Sequence, residues 1–278
     1  MSKPQALMDS LIGMLLLLAA AGSAWQTPNQ SAGAVKVAAG PALAAGAAAA
    51  SPGRPETPAS KEPAAKPLTG FPYTSESLNY SVNWPTGLSL GEAHLRAGKL
   101  EDGWQFDFSL DASVPGFAIQ DHYRSRSNGD LCSLELEKEV THGKRTGHEK
   151  TIFDYKAGSA TRTTLVDGGG HTDDDINNCA HDGLDFVFYA RRELGQGRVP
   201  QQEDVLFGAS YSVRLEYTGA QEVTVNDKRR QADRVVAHVR GPSADSSVEM
   251  LFDRDPARTP LIIKTPTALG TFSMELVR

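Results

Sequence analysis

Trp104-Gln105-Phe106-Asp107-Phe108-Ser109-Leu110-Asp111 decides the fold. Four large apolar side chains alternate with four polar ones, the period of a β-strand with one face in a core and the other in water. The same two-residue period places Leu78, Tyr80, Val82 and Trp84 on one face, with Ser77, Asn79, Ser81 and Asn83 opposite. It recurs in Tyr211, Val213, Leu215 and Tyr217, in Val235, Ala237 and Val239, in Val248, Met250 and Phe252, and in Phe272, Met274 and Leu276. Each run ends at Gly, Asp, Asn or Pro, the residues that turn a chain. Residues 71–278 therefore read as a single, mostly β domain: a curved antiparallel sheet, open barrel or sandwich.

One segment departs from this period. In His181–Leu194 the residues Leu184, Val187, Phe188, Arg191 and Leu194 recur at helical spacing. Asp182 is placed to cap the first turn, Asp185 adds a favourable charge there, and Gly195 suits the C-terminal end. The expectation is one helix near 183–194, packed on the open face or mouth of the sheet.

Upstream of the domain the composition changes twice. Lys3 precedes the apolar run Leu11 to Ala21, followed by the small residues Gly22, Ser23 and Ala24. This is the layout of a secretory signal peptide over 1–24, too short an apolar run for the roughly 20 residues of a membrane-spanning helix. An uncleaved anchor or a buried helix is the alternative, and the membrane enters only by that route. Residues 25–70 are mostly Ala, Pro, Gly and Ser with few large apolar groups, and read as a disordered linker. The expected address is periplasmic or secreted.

The chain of 278 residues carries 28 basic and 34 acidic side chains, a net charge of −6. That charge is unchanged when residues 1–24 are set aside, because they hold one of each sign, Lys3 and Asp9. A mildly acidic, sign-mixed surface argues against nucleic acid as a partner. Cys132 and Cys179 are an even pair in a chain with an export signal, so a disulfide between them is expected, with two free buried thiols as the alternative. The bridge would close a loop of about 48 residues and stabilise the fold by about 4 kcal/mol in the chain-entropy picture.

Several short motifs resemble a bacterial family of exported proteins known as domain of unknown function 3108. They run in order from Glu76-Ser77-Leu78-Asn79-Tyr80-Ser81-Val82-Asn83-Trp84 and Gly91-Glu92-Ala93, through Cys132-Ser133-Leu134, Phe153-Asp154 and Cys179-Ala180-His181-Asp182. They end with Phe252-Asp253-Arg254-Asp255-Pro256, Thr259-Pro260-Leu261 and Leu269-Gly270. The resemblance spans about residues 73–278. It implies a curved antiparallel β domain on the cell-envelope side, and it carries over no catalytic residue.

Reactive constellations are sparse. Gly168-Gly169-Gly170-His171-Thr172-Asp173-Asp174-Asp175 gathers carboxylates and an imidazole, but lacks the alternate-position ligands and distal Glu of a calcium loop, and reads as a solvated turn. Cys179-Ala180-His181-Asp182 could offer a thiol nucleophile, although neighbouring side chains point apart and a disulfide followed by a helix cap explains the same residues. His94, His122, His142, His148 and His238 stand singly, without zinc-site spacing, as surface histidines, with His142 and His148 flanking a polar hairpin tip. No metal, cofactor or catalytic residue is expected. The expected function is non-enzymatic: an envelope β domain holding a lipid or other apolar ligand on its aromatic strand face, provided those side chains do not simply fill a closed core. The alternatives are a structural or interaction protein that meets an envelope partner and, third, a hydrolase using His181 or Cys179.

Overall fold

The computed structural model describes residues 75–277 apart from 115, 243–244 and 268–269, so the signal-like segment 1–24 and the linker 25–70 lie outside the described residues. Among those described, fifteen strands form one sheet and a single helix packs within it. The first eight strands are β1 (Ser75–Asn83), β2 (Ser89–Lys99), β3 (Gly103–Val114), β4 (Phe117–Asn128), β5 (Ser133–His142), β6 (Arg145–Asp154), β7 (Ser159–Thr164) and β8 (His171–Asp175). The two-residue strand β9 (His181–Asp182) runs into α1 (Gly183–Gly195). Then come β10 (Glu203–Leu206), β11 (Ser210–Val225), β12 (Lys228–Arg240), β13 (Asp245–Asp253), β14 (Pro260–Thr267) and β15 (Gly270–Leu276).

The order across the sheet is β8-β7-β6-β5-β4-β3-β2-β1-β15-β14-β13-β12-β11-β10-β9. All neighbours are antiparallel except β9 and β10. Two antiparallel meanders therefore meet where the first and last strands pair, Tyr80 opposite Leu276 and Val82 opposite Met274. The sheet curls far enough for its two halves to touch: Ser133 N–H, on β5, donates to Ala180 O beside β9 at 2.9 Å, and Arg162, on β7, donates to Gly208 O just past β10.

The alternation that defines the strands also defines the core. Leu78, Tyr80, Val82, Trp104, Phe106, Phe108 and Leu110 are all buried, as are Val235, Ala237, Val239, Val248, Met250, Phe252, Phe272, Met274 and Leu276. Tyr217 departs from the expected pattern, at 45% exposure. A bulge between Tyr217 and Gly219 shifts the register and re-aims the strand, so that Val213 and Leu215 join one core cluster while Val223 and Val225 join the other. The far end of that hairpin turns through Asn226 and Asp227, whose φ values of 52° and 58° belong to a two-residue turn matching strand twist. Trp84 falls just past β1 and packs edge-on against Phe272 at 4.8 Å.

The helix lies deeper than an outer lid. Leu184 and Phe188 join the cluster built on β1–β6, with Phe188 stacked on Phe106 at 4.0 Å, while Phe186, Ala190 and Leu194 pack with β11–β13. Thus α1 is an internal element wedged between the two meanders, and only Val187, Tyr189 and Arg192 of its residues are part-exposed. Gly183 permits the close approach at its start, since a Cβ there would stand 2.8 Å from the Phe207 ring. The C-terminal cap falls one residue later than Gly195: Gln196 caps, and Gly197 adopts the left-handed φ of 74°. The Gly168–Asp175 stretch is likewise not wholly a turn. His171–Asp175 pairs with β7 as an edge strand, where a run of aspartates discourages further strand addition.

Candidate functional site

Cys132 and Cys179 are joined by a disulfide, with Cα atoms 4.8 Å apart. The bridge ties the start of β5 to the approach of α1. With its sulfur in that bond Cys179 has no thiolate to offer, so the cysteine-nucleophile alternative falls. His181 is also committed: 3% exposed, its Nδ1 lies 2.7 Å from Asp185 Oδ2, and its ring stacks on Tyr189 at 4.2 Å.

Asp182 caps the helix, as its position suggests. Its Oδ1 accepts from the N–H groups of Leu184 and Asp185 at 2.8 and 2.9 Å, and its Oδ2 accepts from the Ser125 and Ser133 hydroxyls at 2.6 and 2.8 Å. Burial raises the Asp182 pKa against these four favourable bonds. Asp185 is no surface charge complementing the helix dipole. Fully buried, it is pushed up to about 6 by desolvation, with His181 opposing the rise.

These groups belong to a larger polar quadrant of the sheet interior. On β4 the inward positions are Ile119, Asp121, Tyr123, Ser125 and Ser127, and all are buried. Register extends the row through Tyr123, Lys138, Glu149 and Thr164 on four successive strands, with Leu110, Asp121 and Val140 in the row beside it. Lys138 is only 5% exposed, 3.5 Å from Glu149 and 4.3 Å over the Phe207 ring. Arg162 Nη1 approaches the other Glu149 oxygen at 3.7 Å, and His142 Nε2 lies 2.7 Å from Asp121 Oδ1. Tyr123 meets Phe207 edge-on at 5.2 Å.

The electrostatics of this quadrant are costly. Burial lowers the Lys138 pKa, with Glu149 opposing, and burial followed by the Asp121 charge raises the Tyr123 phenol well above its ordinary value. Asp121 Oδ2, Tyr123 Oη, Ser127 Oγ, Glu149 Oε2 and Asp185 Oδ1 are buried without a hydrogen bond of good geometry among the described residues, and face only one another or Lys138: Tyr123 with Asp121, Ser127 with Asp185, and Lys138 with Glu149. Burying charged and polar groups with such poor hydrogen bonds is costly, and a set of them together at one place in a core marks a functional candidate more than a packing accident.

The profile of a family described as "Protein of unknown function (DUF3108)" matches residues 79–277. The chain belongs to this family. That span takes in the disulfide, α1 and every residue of the polar quadrant. No curated protein matches the sequence. Among solved structures, a β-barrel-like protein of domain of unknown function DUF1849 from Brucella abortus is similar, with a TM-score of 0.55 at 7% identity, over 73% of this chain and 95% of that one. A protein with a YmcC-like fold from Bacteroides fragilis aligns over 77% of this chain and 97% of its own at 9% identity, with a TM-score of 0.28. The first likeness supports the barrel-like sheet, and at 7% identity it speaks for the fold alone.

The DUF3108 domain thus brings Cys179, His181, Asp182 and Asp185 together, as their closeness in sequence suggests, and the disulfide adds Cys132 from 47 residues upstream. The core of the quadrant, Asp121, Tyr123, Lys138, Glu149 and Arg162, escapes sequence reading. On β4 the outward residues His122, Arg124 and Arg126 are as polar as the inward ones, so the alternation carries no hydrophobic contrast.

Proposed function

We propose that this protein is a non-enzymatic binding domain of the cell envelope whose ligand is amphipathic, a lipid or similar molecule. Its polar head sits against Lys138, Glu149, Asp121 and Tyr123, and its apolar part lies along Leu110, Ala112 and Ile119. The observation that carries this reading is the set of buried, imperfectly bonded polar groups immediately beside apolar strand positions. A ligand head that donates to Asp121 and Glu149 and accepts from Tyr123 and Lys138 would satisfy them, and two cations facing two carboxylates suit a zwitterionic head.

The address is part of the same reading. A disulfide belongs to an oxidising compartment, and residues 1–24 have the layout of an export signal, with 25–70 as a tether between membrane or wall and domain. Native mass spectrometry of the protein purified from the envelope fraction, before and after solvent extraction, tests the proposal. A bound mass that extraction removes and a soluble short-chain zwitterionic phospholipid restores is the expected result. Protein that never carries such a mass, and does not take up the phospholipid, would overturn it.

A further inference from the structure

The outer face of β4–β6 holds a second cluster, on the strand positions that alternate with the interior ones. His122, Glu139 and His148 are direct cross-strand neighbours in one row, and Glu137 stands two residues along β5 on the same face. His148 Nε2 is 2.8 Å from Glu137 Oε1 and 3.7 Å from Glu139 Oε1, and the three donor atoms lie within 4.8 Å of one another. His122, Glu139 and His148 line one shallow hollow of about 580 Å³.

We propose that His148, Glu139 and Glu137, completed by His122, bind a divalent transition-metal cation, zinc foremost. Around a tetrahedral zinc with ligands at about 2.0–2.2 Å, donor atoms stand roughly 3.3 Å apart, which is the scale of the distances seen here. Imidazole nitrogen with carboxylate oxygen is a zinc-type donor set, whereas calcium and magnesium call for oxygen alone. The neighbouring cations already have other partners: Arg124 pairs with Asp107 at 3.0 Å and Lys150 with Glu135 at 2.9 Å. Arg124 and Lys150 flank Glu137 in its cross-strand row and favour its ionised form, but the side-chain contacts that Glu137 and Glu139 themselves make at short range are to His148. All four donors sit on paired strands instead of a loop, so little ordering is needed when the ion arrives. The ion would take the place of the hydrogen between His148 Nε2 and Glu137, so protons compete with it for the same donor atoms.

The full-length protein, stripped with a chelator and titrated with zinc chloride against a chromophoric competitor, decides the matter. One zinc per chain is expected at this site, weakened at least about tenfold by His148→Ala and by Glu139→Gln, and by less in His122→Ala. His94→Ala, whose imidazole bonds Asn79 on another part of the sheet, should leave the affinity unchanged. These side chains face outward, so each zinc-free variant should keep the melting temperature of the parent, which separates loss of a ligand from loss of the fold. No zinc uptake, or uptake that His148→Ala leaves intact, would overturn the proposal.

Discussion

Arg191 grips Glu76 with both ends of its guanidinium, Nη1 to Oε2 at 2.7 Å and Nη2 to Oε1 at 2.9 Å, in the interior of the domain. Its Nε also donates to the carbonyls of Ala257 and Arg258 at 3.1 and 3.2 Å, and its plane lies 5.1 Å over the Phe188 ring. One side chain thereby fixes the last turns of α1 to β1 and to the β13–β14 loop. Glu76→Ala leaves a buried cation without its partner and should cost about 3–5 kcal/mol in urea unfolding, while Glu76→Leu with Arg191→Met should recover only part of that loss, because the Ala257 and Arg258 carbonyls lose their donor.

The other end of α1 is held covalently. Replacing Cys132 and Cys179 together by Ser should lower stability by about 2–5 kcal/mol, read from the unfolding midpoint at constant m-value. The β-sheet signature in far-UV circular dichroism should persist, because the bridge constrains the chain rather than forming the core.

Asp185 gives a pH dependence of definite sign. Its carboxyl titrates near 3.8 when unfolded and about 6 when folded, so the folded state binds the extra proton between those values. Ionising Asp185 costs stability progressively as pH rises from about 4 to 6, and above 6 the full cost is present. The difference in unfolding free energy between Asp185→Asn and the parent should therefore shift in favour of the variant across that window and be flat above it. A difference curve that is level from pH 4 to 7 would remove Asp185 from the set of strained groups.

Much of this architecture is legible in the sequence because hydrophobic contrast is strong where the core is apolar. Trp104 to Leu110 announces β3, and Leu184, Phe188 and Leu194 announce the helix. The depth of α1 is not legible, since Phe186 and Ala190 on its second face become apolar contacts only once β11–β13 fold over them. Tyr217 misleads for a local reason, as a one-residue bulge leaves no mark on a period-two pattern. The polar quadrant is hidden for the opposite reason to β3: Asp121, Tyr123, Ser125 and Ser127 look like a solvent face until register sets them against Leu110, Lys138 and Leu136.

On the proposed reading, the buried charges around Lys138 exist for a ligand and not for the fold. Converting a buried ion pair to apolar residues of similar volume is commonly neutral or stabilising, by about 1–4 kcal/mol. The deciding measurement is the melting temperature of Lys138→Met/Glu149→Leu taken together with its uptake of the short-chain zwitterionic phospholipid in native mass spectrometry. A double variant that melts no lower than the parent yet fails to bind the phospholipid is the predicted result. Binding equal to that of the parent would contradict the account.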